Sequence, residues 1–367
     1  MIPVCSPLMN GNEEKYVLNA MRTNWISSSG KYIELFENEF AKYCGTDYGI
    51  AVTNGTNALH TALSALGIKK GDEVIIPNFT MIASANAVCY TGAKPIFVDA
   101  EPRTWNIDTN KIEEKITSRT KAIMPVHIFG HPCEMDKINE LAEKYNLKVI
   151  EDAAEAHGAE YKGKRTGKLG DIACFSFFAN KIITTGEGGM IITNNEDLAE
   201  RCMSFKNMYF GKERNYVHEE IGFNYRISNL HSAIGLAQTE KAKEYVNLRI
   251  KNNNLYKEGL KGVEEIIFQK EEPWAKNVYW MNAIVLKGFN RDKLMNKLKE
   301  KGIETRLLFT GMNKQPCLKK FGGDMSGEYP ITDWLTKNGL YLPSGSGLKA
   351  EEIKIVCNSL KKILSEK

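Results

Sequence analysis

A single lysine, Lys181, stands in a segment that is suited to covalent chemistry. It lies in CFSFFANKIITTGEGGMIITNN (residues 174–195), between an apolar run that ends at Phe178 and a strand-like run at Met190–Thr193. Ser176 precedes it by five residues, and a glycine-rich turn follows it. A lysine on a short loop between two buried strands can place its amine deep in a pocket, where loss of solvent favours the neutral amine that acts as a base or nucleophile.

Two acidic residues follow another apolar run, about thirty residues upstream of the lysine. In VIEDAAEAHG (residues 149–158), Asp152 and Glu155 come at the end of a strand-like segment. We expect this strand to deliver both residues to the edge of the sheet at which Lys181 lies. A lysine that forms an imine and an aspartate that holds a pyridinium nitrogen are two requirements of pyridoxal phosphate chemistry, and we interpret the residues in this way.

The phosphate of such a cofactor needs an anion site, and VTNGTNAL (residues 52–59) offers one. A strand end, a glycine turn and a helix that begins at a threonine leave free amides at the positive end of the helix dipole. The amides of Gly55 and Thr56, together with the Ser176 hydroxyl, are therefore candidate phosphate ligands. Taken alone, a threonine after a glycine turn more often marks an ordinary helix cap, and that alternative stays open.

The composition is typical of a soluble enzyme. The 49 basic and 45 acidic residues give a formal charge of +4 that is spread along the chain, so no nucleic-acid partner is expected. No apolar run approaches the roughly 18 residues of a membrane helix, and the N-terminus lacks a signal-peptide pattern. Eight cysteines without a CxxC pair indicate reduced thiols, a cytoplasmic location and no metal site.

Short apolar runs alternate with amphipathic segments in the first two thirds of the chain. Helix-like segments such as Ile33–Cys44, Thr56–Leu66 and Ser84–Tyr90 lie between them. This pattern predicts an α/β fold with a mostly parallel seven-stranded sheet that is covered on both faces by helices. The predicted strands are Gly49–Val52, Glu73–Ile76, Pro95–Val98, Ala122–Val126, Lys148–Glu151, Ile172–Phe177 and Met190–Thr193.

The pattern changes after Asn229. A long helical stretch, Leu230–Tyr256, leads into strand-like segments and helices that end with Ala350–Ser365. The predicted elements between them are Trp280–Leu286, Arg291–Lys301 and Ile303–Leu308. We therefore predict a large cofactor-binding domain over residues 1–235 and a smaller C-terminal α/β domain over residues 236–367.

Several motifs in a fixed order carry a family resemblance. TNGTNALHTAL, GDEVIIPNFTMIASANAV, PIFVD, MPVHIFGHPCEMD and IGFNYRISNLHSAIGLAQ, together with the aspartate and lysine segments, resemble the DegT/DnrJ/EryC1/StrS family. The likeness extends from NWISSSGKYIELFENEFA (24–41) to GLYLPSGSGL (339–348). It implies fold type I and pyridoxal phosphate-dependent amino transfer to a nucleotide-linked sugar.

The resemblance also assigns roles to the candidate residues. Lys181 would form the imine with pyridoxal 5'-phosphate and then act as acid and base, while Asp152 would pair with the protonated ring nitrogen. Glu155 stands near the ring hydroxyl, where many relatives carry glutamine. Asn224, in GFNYR, matches an asparagine that reaches the phosphate from the neighbouring subunit, which implies a homodimer. Met81 follows the PNFT motif, where relatives usually place an aromatic residue that stacks on the cofactor ring.

Candidate substrate residues are less sharply defined. Relatives often carry a histidine where this chain has Asn313, in a loop that is expected to approach the sugar. His157 is either a substrate contact or a structural histidine, and the segment around Trp25 either lines the mouth of the site or forms a polar turn. Lys31 and Arg306 are candidates for neutralising a pyrophosphate. We interpret Glu187, in the glycine turn, as structural.

The implied reaction takes nitrogen from L-glutamate and delivers it to carbon 4 of a nucleotide-linked 4-keto-6-deoxy sugar. The stretches NWISSSG, YTGAKPIFVDAEPRTWNID, HIFGHPCEMD and NKIITTGEGGM are most similar to members that act on GDP-4-keto-6-deoxymannose. Another GDP-linked sugar, or one linked to UDP or dTDP, remains an alternative. A dehydratase branch carries histidine in place of the imine lysine, so Lys181 argues against that class. A regulator that binds the cofactor or sugar without turnover is a further alternative.

Overall fold

The protein is described here by a computed structural model that covers residues 1–210, 216–323 and 325–366. Its strands are β1 (Tyr48–Val52), β2 (Glu73–Pro77), β3 (Lys94–Val98), β4 (Thr120–Ile123), β5 (Lys148–Asp152), β6 (Glu160–Tyr161), β7 (Lys164–Arg165), β8 (Ile172–Ser176), β9 (Gly189–Thr193), β10 (Ile266–Phe268), β11 (Ala275–Lys276), β12 (Asn282–Leu286), β13 (Arg306–Leu307) and β14 (Gly339–Leu342). Its α-helices are α1 (Glu13–Arg22), α2 (Lys31–Cys44), α3 (Gly55–Ala65), α4 (Ile82–Tyr90), α5 (Met135–Tyr145), α6 (Glu196–Lys206), α7 (Asn229–Glu240), α8 (Ala242–Gly259), α9 (Arg291–Glu300), α10 (Pro316–Phe321), α11 (Pro330–Asn338) and α12 (Ala350–Ser365).

The main sheet has seven strands in the order β1-β9-β8-β5-β4-β2-β3. The run from β8 through β5, β4 and β2 to β3 is parallel, whereas β9 is antiparallel to both of its neighbours, β8 and β1. The connection between β8 and β9, residues 177–188, contains no helix, and parallel neighbours are usually joined through a crossover helix. The prediction of a mostly parallel seven-stranded sheet is confirmed.

Both faces of this sheet are buried. Successive side chains of each strand point to opposite sides, and each side of the sheet meets a hydrophobic core. In β8, Ala173 and Phe175 join the core that contains α2, while Ile172 and Cys174 join the core that contains α3. Helices α2 and α3 contact the sheet through β1 and through β8 and β9 respectively. This two-sided burial explains why the strands read as continuous apolar runs instead of alternating patterns.

A second sheet is antiparallel throughout and has the strand order β10-β12-β14-β13. Its core joins β12 and β14 to α8, α9 and α12 through Ile284, Leu340, Tyr256, Leu294 and Val356. A third, small sheet pairs β11 with β6 and β6 with β7. In this way a strand from residues 275–276 lies against the segment that follows β5.

The helical stretch predicted over Leu230–Tyr256 is two helices in the structure. Helix α7 ends at Glu240, and α8 starts at Ala242 after a break at Lys241. The predicted domain boundary between residues 235 and 236 falls inside α7 and stays a prediction. In the described part of the chain, no helix is long and apolar enough to cross a membrane.

Candidate active site

A cavity of about 460 Å³ opens at the carboxyl edge of the parallel strands. Strand β5 ends at Asp152 and β8 ends at Ser176, and both residues line the cavity. Gly55 and Thr56, at the start of the helix that follows β1, lie on the same cavity wall. The carboxyl edge is where open α/β sheets bind their ligands, because the loops and helix N-termini that follow the strands converge there.

Lys181 reaches this cavity from the connection between β8 and β9. Its side chain is 10% exposed, and its Nζ lies 3.9 Å from Glu155 Oε1. The same Nζ lies 3.7 Å from the centre of the Trp280 ring. Burial lowers the pKa of Lys181, partly offset by the negative charges of Glu155 and Asp152. The amine is thus closer to its neutral, reactive form than an exposed lysine is.

Asp152 is held in a fixed orientation at the floor of the cavity. Its Oδ2 accepts a hydrogen bond of 2.7 Å from the Ser84 hydroxyl, and its Oδ1 accepts one of 3.2 Å from the Ala154 amide. Burial raises the pKa of Asp152, although these two hydrogen bonds and Lys181 act in the opposite direction. A cation placed against this carboxylate would lower its pKa and receive a buried countercharge in return.

Glu155 is the second carboxylate of the cavity. Its Oε2 accepts a hydrogen bond of 2.7 Å from the Phe129 amide, which leaves Oε1 to face Lys181. Burial raises the pKa of Glu155 to about 7, with Lys181 acting to lower it. Burial therefore favours the protonated, neutral form of this carboxyl group more than it is favoured in an exposed glutamate.

The start of α3 forms a close cradle with Ser176. The Asn54 side chain caps α3 by accepting from the Asn57 amide, at 2.8 Å. The amides of Gly55 and Thr56 precede that position, where a helix has no internal acceptors for them. A Cβ on Gly55 would lie 2.8 Å from Ser176 Cβ, so this approach requires glycine. An anion at this corner would meet two amides, two hydroxyls and the positive end of a helix.

Comparison with known proteins places this geometry in a family. A sequence profile described as the DegT/DnrJ/EryC1/StrS aminotransferase family matches residues 7–361. The chain belongs to the DegT/DnrJ/EryC1/StrS aminotransferase family. The resemblance predicted from the sequence motifs is thereby confirmed.

Relatives within this family match the chain over nearly its whole length. It is 45% identical to a protein from Escherichia coli O157:H7 that is named GDP-perosamine synthase, over 100% of this chain and 99% of the relative. A protein of the same name from Caulobacter vibrioides is 46% identical, over 99% of this chain and 98% of the relative.

Two solved structures share the fold over nearly the whole chain. S. venezuelae DesV, solved in complex with a ketimine intermediate, superposes with a TM-score of 0.91 at 32% identity, over 96% of this chain and 94% of that one. The 3-amino-5-hydroxybenzoic acid synthase superposes with a TM-score of 0.94 at 27% identity, over 100% and 99% of the two chains. Together with the seven-stranded sheet, these superpositions confirm the predicted fold class.

Two further predicted residues of this aminotransferase line the cavity. Met81 is 51% exposed and stands at the cavity wall just before α4. Arg306, in β13, lies at the rim and donates to Glu304 Oε1 at 3.1 Å. Both positions are open to a bound molecule, and Arg306 would bring positive charge to it.

The structure does not bring His157 or Asn313 to the cavity wall. His157 is fully buried and packs edge-on against Phe40 and Phe177, and burial lowers its pKa to about 3. Asn313 instead pairs with Asn78. Its Oδ1 accepts from Asn78 Nδ2 at 3.0 Å, and its amide donates to Asn78 Oδ1 at 2.9 Å. Asn313 thus connects the loop after β13 to the residue that follows β2, and these two hydrogen bonds hold that loop in place.

Trp25, Lys31 and Asn224 are also outside the cavity of their own chain. Trp25 is 57% exposed, and the Lys31 ammonium lies over the Tyr32 ring at 5.1 Å. Asn224 is exposed and forms an isolated bridge with Asn207. None of these three side chains lines the cavity that contains Lys181, and their roles stay predictions.

Several cavity residues were not predicted from the sequence. Trp280 and Tyr341 are buried aromatic residues of the C-terminal third, and Glu187, interpreted above as structural, faces the cavity from the glycine turn. Ser84, which orients Asp152, was missed as well. A tryptophan in a strand-like run reads as core, so only tertiary contacts could reveal Trp280 as a neighbour of Lys181.

His127 is a structural histidine. Its Nδ1 accepts from the Cys133 amide at 3.0 Å, which places the ring proton on Nε2, where it donates to Glu151 at 2.9 Å. Glu151 also accepts hydrogen bonds from three backbone amides of the segment 167–170. This fully buried pair fixes a loop beneath the sheet edge and does not line the cavity. Among the residues that the structure describes, no cluster of histidine, cysteine and acidic side chains could hold a metal ion.

Proposed function

We propose that this aminotransferase binds pyridoxal 5'-phosphate and moves an amino group from L-glutamate to carbon 4 of GDP-4-keto-6-deoxy-D-mannose, which gives GDP-perosamine. The single observation that carries the chemistry is the meeting of Lys181 and Asp152 in one buried cavity beside the start of α3. The choice of sugar is supported by the relatives named GDP-perosamine synthase, which are 45% and 46% identical over almost the whole chain.

The donor set of the cavity fits this cofactor. An amine, a carboxylate and an anion site are needed at three corners of the ring, and Lys181, Asp152 and the Gly55–Thr56 amides supply them from three separate elements. The close approach of Gly55 to Ser176 leaves backbone amides and a hydroxyl facing the cavity with no intervening side chain. Met81 offers a polarizable thioether to a ring face.

When bound, pyridoxal phosphate acts as an electron sink that stabilises negative charge on the carbon next to the transferred nitrogen. The residues of this chain would orient the cofactor and move the protons. Asp152 holds the proton on the ring nitrogen, which its fixed orientation by Ser84 and Ala154 favours. The Lys181 amine takes a proton from the α-carbon of glutamate and later returns one to carbon 4 of the sugar.

We further propose that the functional unit is a homodimer in which Asn224 of each chain completes the phosphate site of the other. The exposed position of Asn224, outside its own cavity, supports this assignment. Exposed apolar side chains on α1 and the segment after it, Leu18, Met21, Trp25 and Ile26, are consistent with a covered surface nearby. Trp25 and Lys31 would then approach the sugar nucleotide of the neighbouring site. The cytoplasmic location stays a prediction.

The test is an absorption spectrum of the purified protein with pyridoxal phosphate, recorded before and after L-glutamate and then after the GDP-keto-sugar. We expect a visible imine band that is lost with glutamate and returns with the sugar. Loss of the band with glutamate and no return with the GDP-keto-sugar would support amino transfer but reject this sugar. UDP- and dTDP-linked 4-keto sugars would then be tested. A stable band that glutamate does not change would favour a binding protein without turnover. No band at all would reject the cofactor.

A further inference from the structure

The carbonyl oxygen of Asn180, the residue before Lys181, accepts hydrogen bonds from three distant parts of the chain. Trp280 Nε1 donates at 2.9 Å, Cys5 Sγ at 3.4 Å and Arg249 Nη2 at 3.5 Å. A carbonyl oxygen has two lone pairs, so three donors use its capacity fully. The peptide group that leads into Lys181 is therefore fixed in orientation.

Trp280 also contacts the end of the lysine side chain. Its ring centre lies 3.7 Å from Lys181 Nζ, and the residue is only 4% exposed. An amine over an indole face is attracted when protonated, and the ring also excludes water from that side. One residue thus restrains Lys181 at two points, at the start of its backbone through the Nε1 hydrogen bond and at its amine through the ring face.

The backbone of Trp280 extends this restraint to Glu155. Its amide donates to the Phe129 carbonyl at 2.8 Å, and the Phe129 amide donates to Glu155 Oε2 at 2.7 Å. Phe129 has a φ of 55°, a left-handed conformation that a bulky residue adopts only where its surroundings impose it. The contacts from Trp280 to Phe129 and on to Glu155 form a path that ends 3.9 Å from Lys181 Nζ.

Arg249, on α8, holds Trp280 in turn. Its Nη1 donates to the Trp280 carbonyl at 2.7 Å and to the Ser344 carbonyl at 2.6 Å, and its Nε donates to Ser346 Oγ at 2.9 Å. The residue is 1% exposed, and no carboxylate lies within 4.0 Å of it in the part of the chain that the structure describes. Its charge is thus directed at neutral acceptors that surround Trp280 and Asn180.

We propose that Trp280 is a positioning residue for Lys181, anchored by Arg249. Its indole N–H fixes the Asn180 peptide, and its ring face directs the lysine amine into the cavity beside Glu155. This inference rests on the proposed role of Lys181 in forming an imine. Loss of the N–H should therefore slow the attack of Lys181 on the cofactor aldehyde while leaving the fold intact.

The experiment compares wild type with Trp280→Phe and with replacement of Trp280 by benzothienylalanine, which keeps the ring area and lacks the N–H. Trp274→Phe is the matched control, because Trp274 packs on His131 and Tyr161 and does not line the cavity. Stopped-flow absorbance gives the rate at which cofactor-free protein forms the imine with pyridoxal phosphate. We expect both Trp280 variants to be at least about tenfold slower, with the control within about twofold of wild type.

A second measurement does not depend on the cofactor. Amine labelling of cofactor-free protein over a range of pH, read by peptide mass spectrometry, gives the titration midpoint of Lys181 relative to exposed Lys162. Without the N–H bond to the Asn180 carbonyl, the ring is no longer held over the lysine amine, so the amine gains solvent and its titration midpoint should rise by about half a pH unit or more. Benzothienylalanine also guards against a Trp280→Phe variant that fails to fold.

The two proposals fail in different ways. If wild type forms no imine, the proposed function is rejected, and the labelling profile alone decides whether Trp280 positions Lys181. If wild type forms the imine and the folded benzothienylalanine protein matches it in both rate and labelling midpoint, the positioning role of Trp280 is rejected. A fall in melting temperature with unchanged rate and midpoint also rejects it, since that pattern describes packing alone.

Discussion

Lys181 Nζ lies 3.9 Å from Glu155 Oε1, with both side chains enclosed in the same cavity. Burial acts on the two groups in opposite senses, lowering the pKa of the lysine and raising that of the glutamate to about 7. Each change favours the neutral form of its group. The free energy that separates a neutral amine beside a neutral acid from an ion pair is thereby reduced, which suits a lysine that must both give and take protons.

The raised pKa of Glu155 predicts a pH-dependent loss of stability in the cofactor-free protein. In the unfolded chain Glu155 loses its proton near pH 4.5, whereas in the fold it does so near pH 7. Between these values the unfolded chain binds fewer protons than the folded one, so stability falls as pH rises. Relative to Glu155→Gln, wild type should lose roughly 2–5 °C of melting temperature between pH 5 and pH 8. Parallel curves for the two proteins in differential scanning calorimetry would contradict this.

Replacement of Lys181 tests the assignment of the reacting amine. Lys181→Ala should lose the visible band with pyridoxal phosphate and at least about a thousandfold in rate, because it removes the nucleophile and the acid–base group together. Lys162→Ala is the control, since Lys162 is an exposed partner of Asp136 that does not line the cavity. Turnover of Lys181→Ala near the wild-type rate would show that another residue performs the chemistry.

A double-mutant cycle tests the phosphate corner. The added Cβ of Gly55→Ala would lie 2.8 Å from Ser176 Cβ, so the amides must move away from the anion. We expect Gly55→Ala to weaken pyridoxal phosphate binding by about tenfold or more, measured as the dissociation constant by fluorescence titration. In a Ser176→Gly background the same change should cost much less, because the clashing atom is gone. Equal costs in both backgrounds would mean that the clash is not the cause.

Mixing two inactive variants tests the shared site. If Asn224 completes the neighbouring cavity, a heterodimer of Lys181→Ala and Asn224→Ala contains one site with both defects and one with neither. Random mixing after mild dissociation should then restore about a quarter of wild-type activity. Each variant mixed with itself is the control. No recovery, with heterodimers verified by native mass spectrometry, would place Asn224 outside the partner site.

The sequence was sufficient for those features that depend on local pattern. The apolar runs of the main sheet could be read because both faces of each strand are buried, as Ile172 and Phe175 illustrate on opposite sides of β8. Lys181 and Asp152 stood out because they follow such runs, and the carboxyl ends of strands converge on one edge of a sheet. The family resemblance followed from the order and spacing of motifs along one chain.

Tertiary structure alone decided which residues from distant segments meet at that edge. Trp280 lies about a hundred positions after Lys181, and only the packing of α8 and β12 against the main sheet brings its ring to the lysine amine. Other contacts between distant segments keep His157 and Asn313 off the cavity wall, since one packs in an aromatic core and the other pairs with Asn78. Sequence patterns report the surroundings of a residue along its own element, whereas contacts between elements depend on how their faces pack in three dimensions.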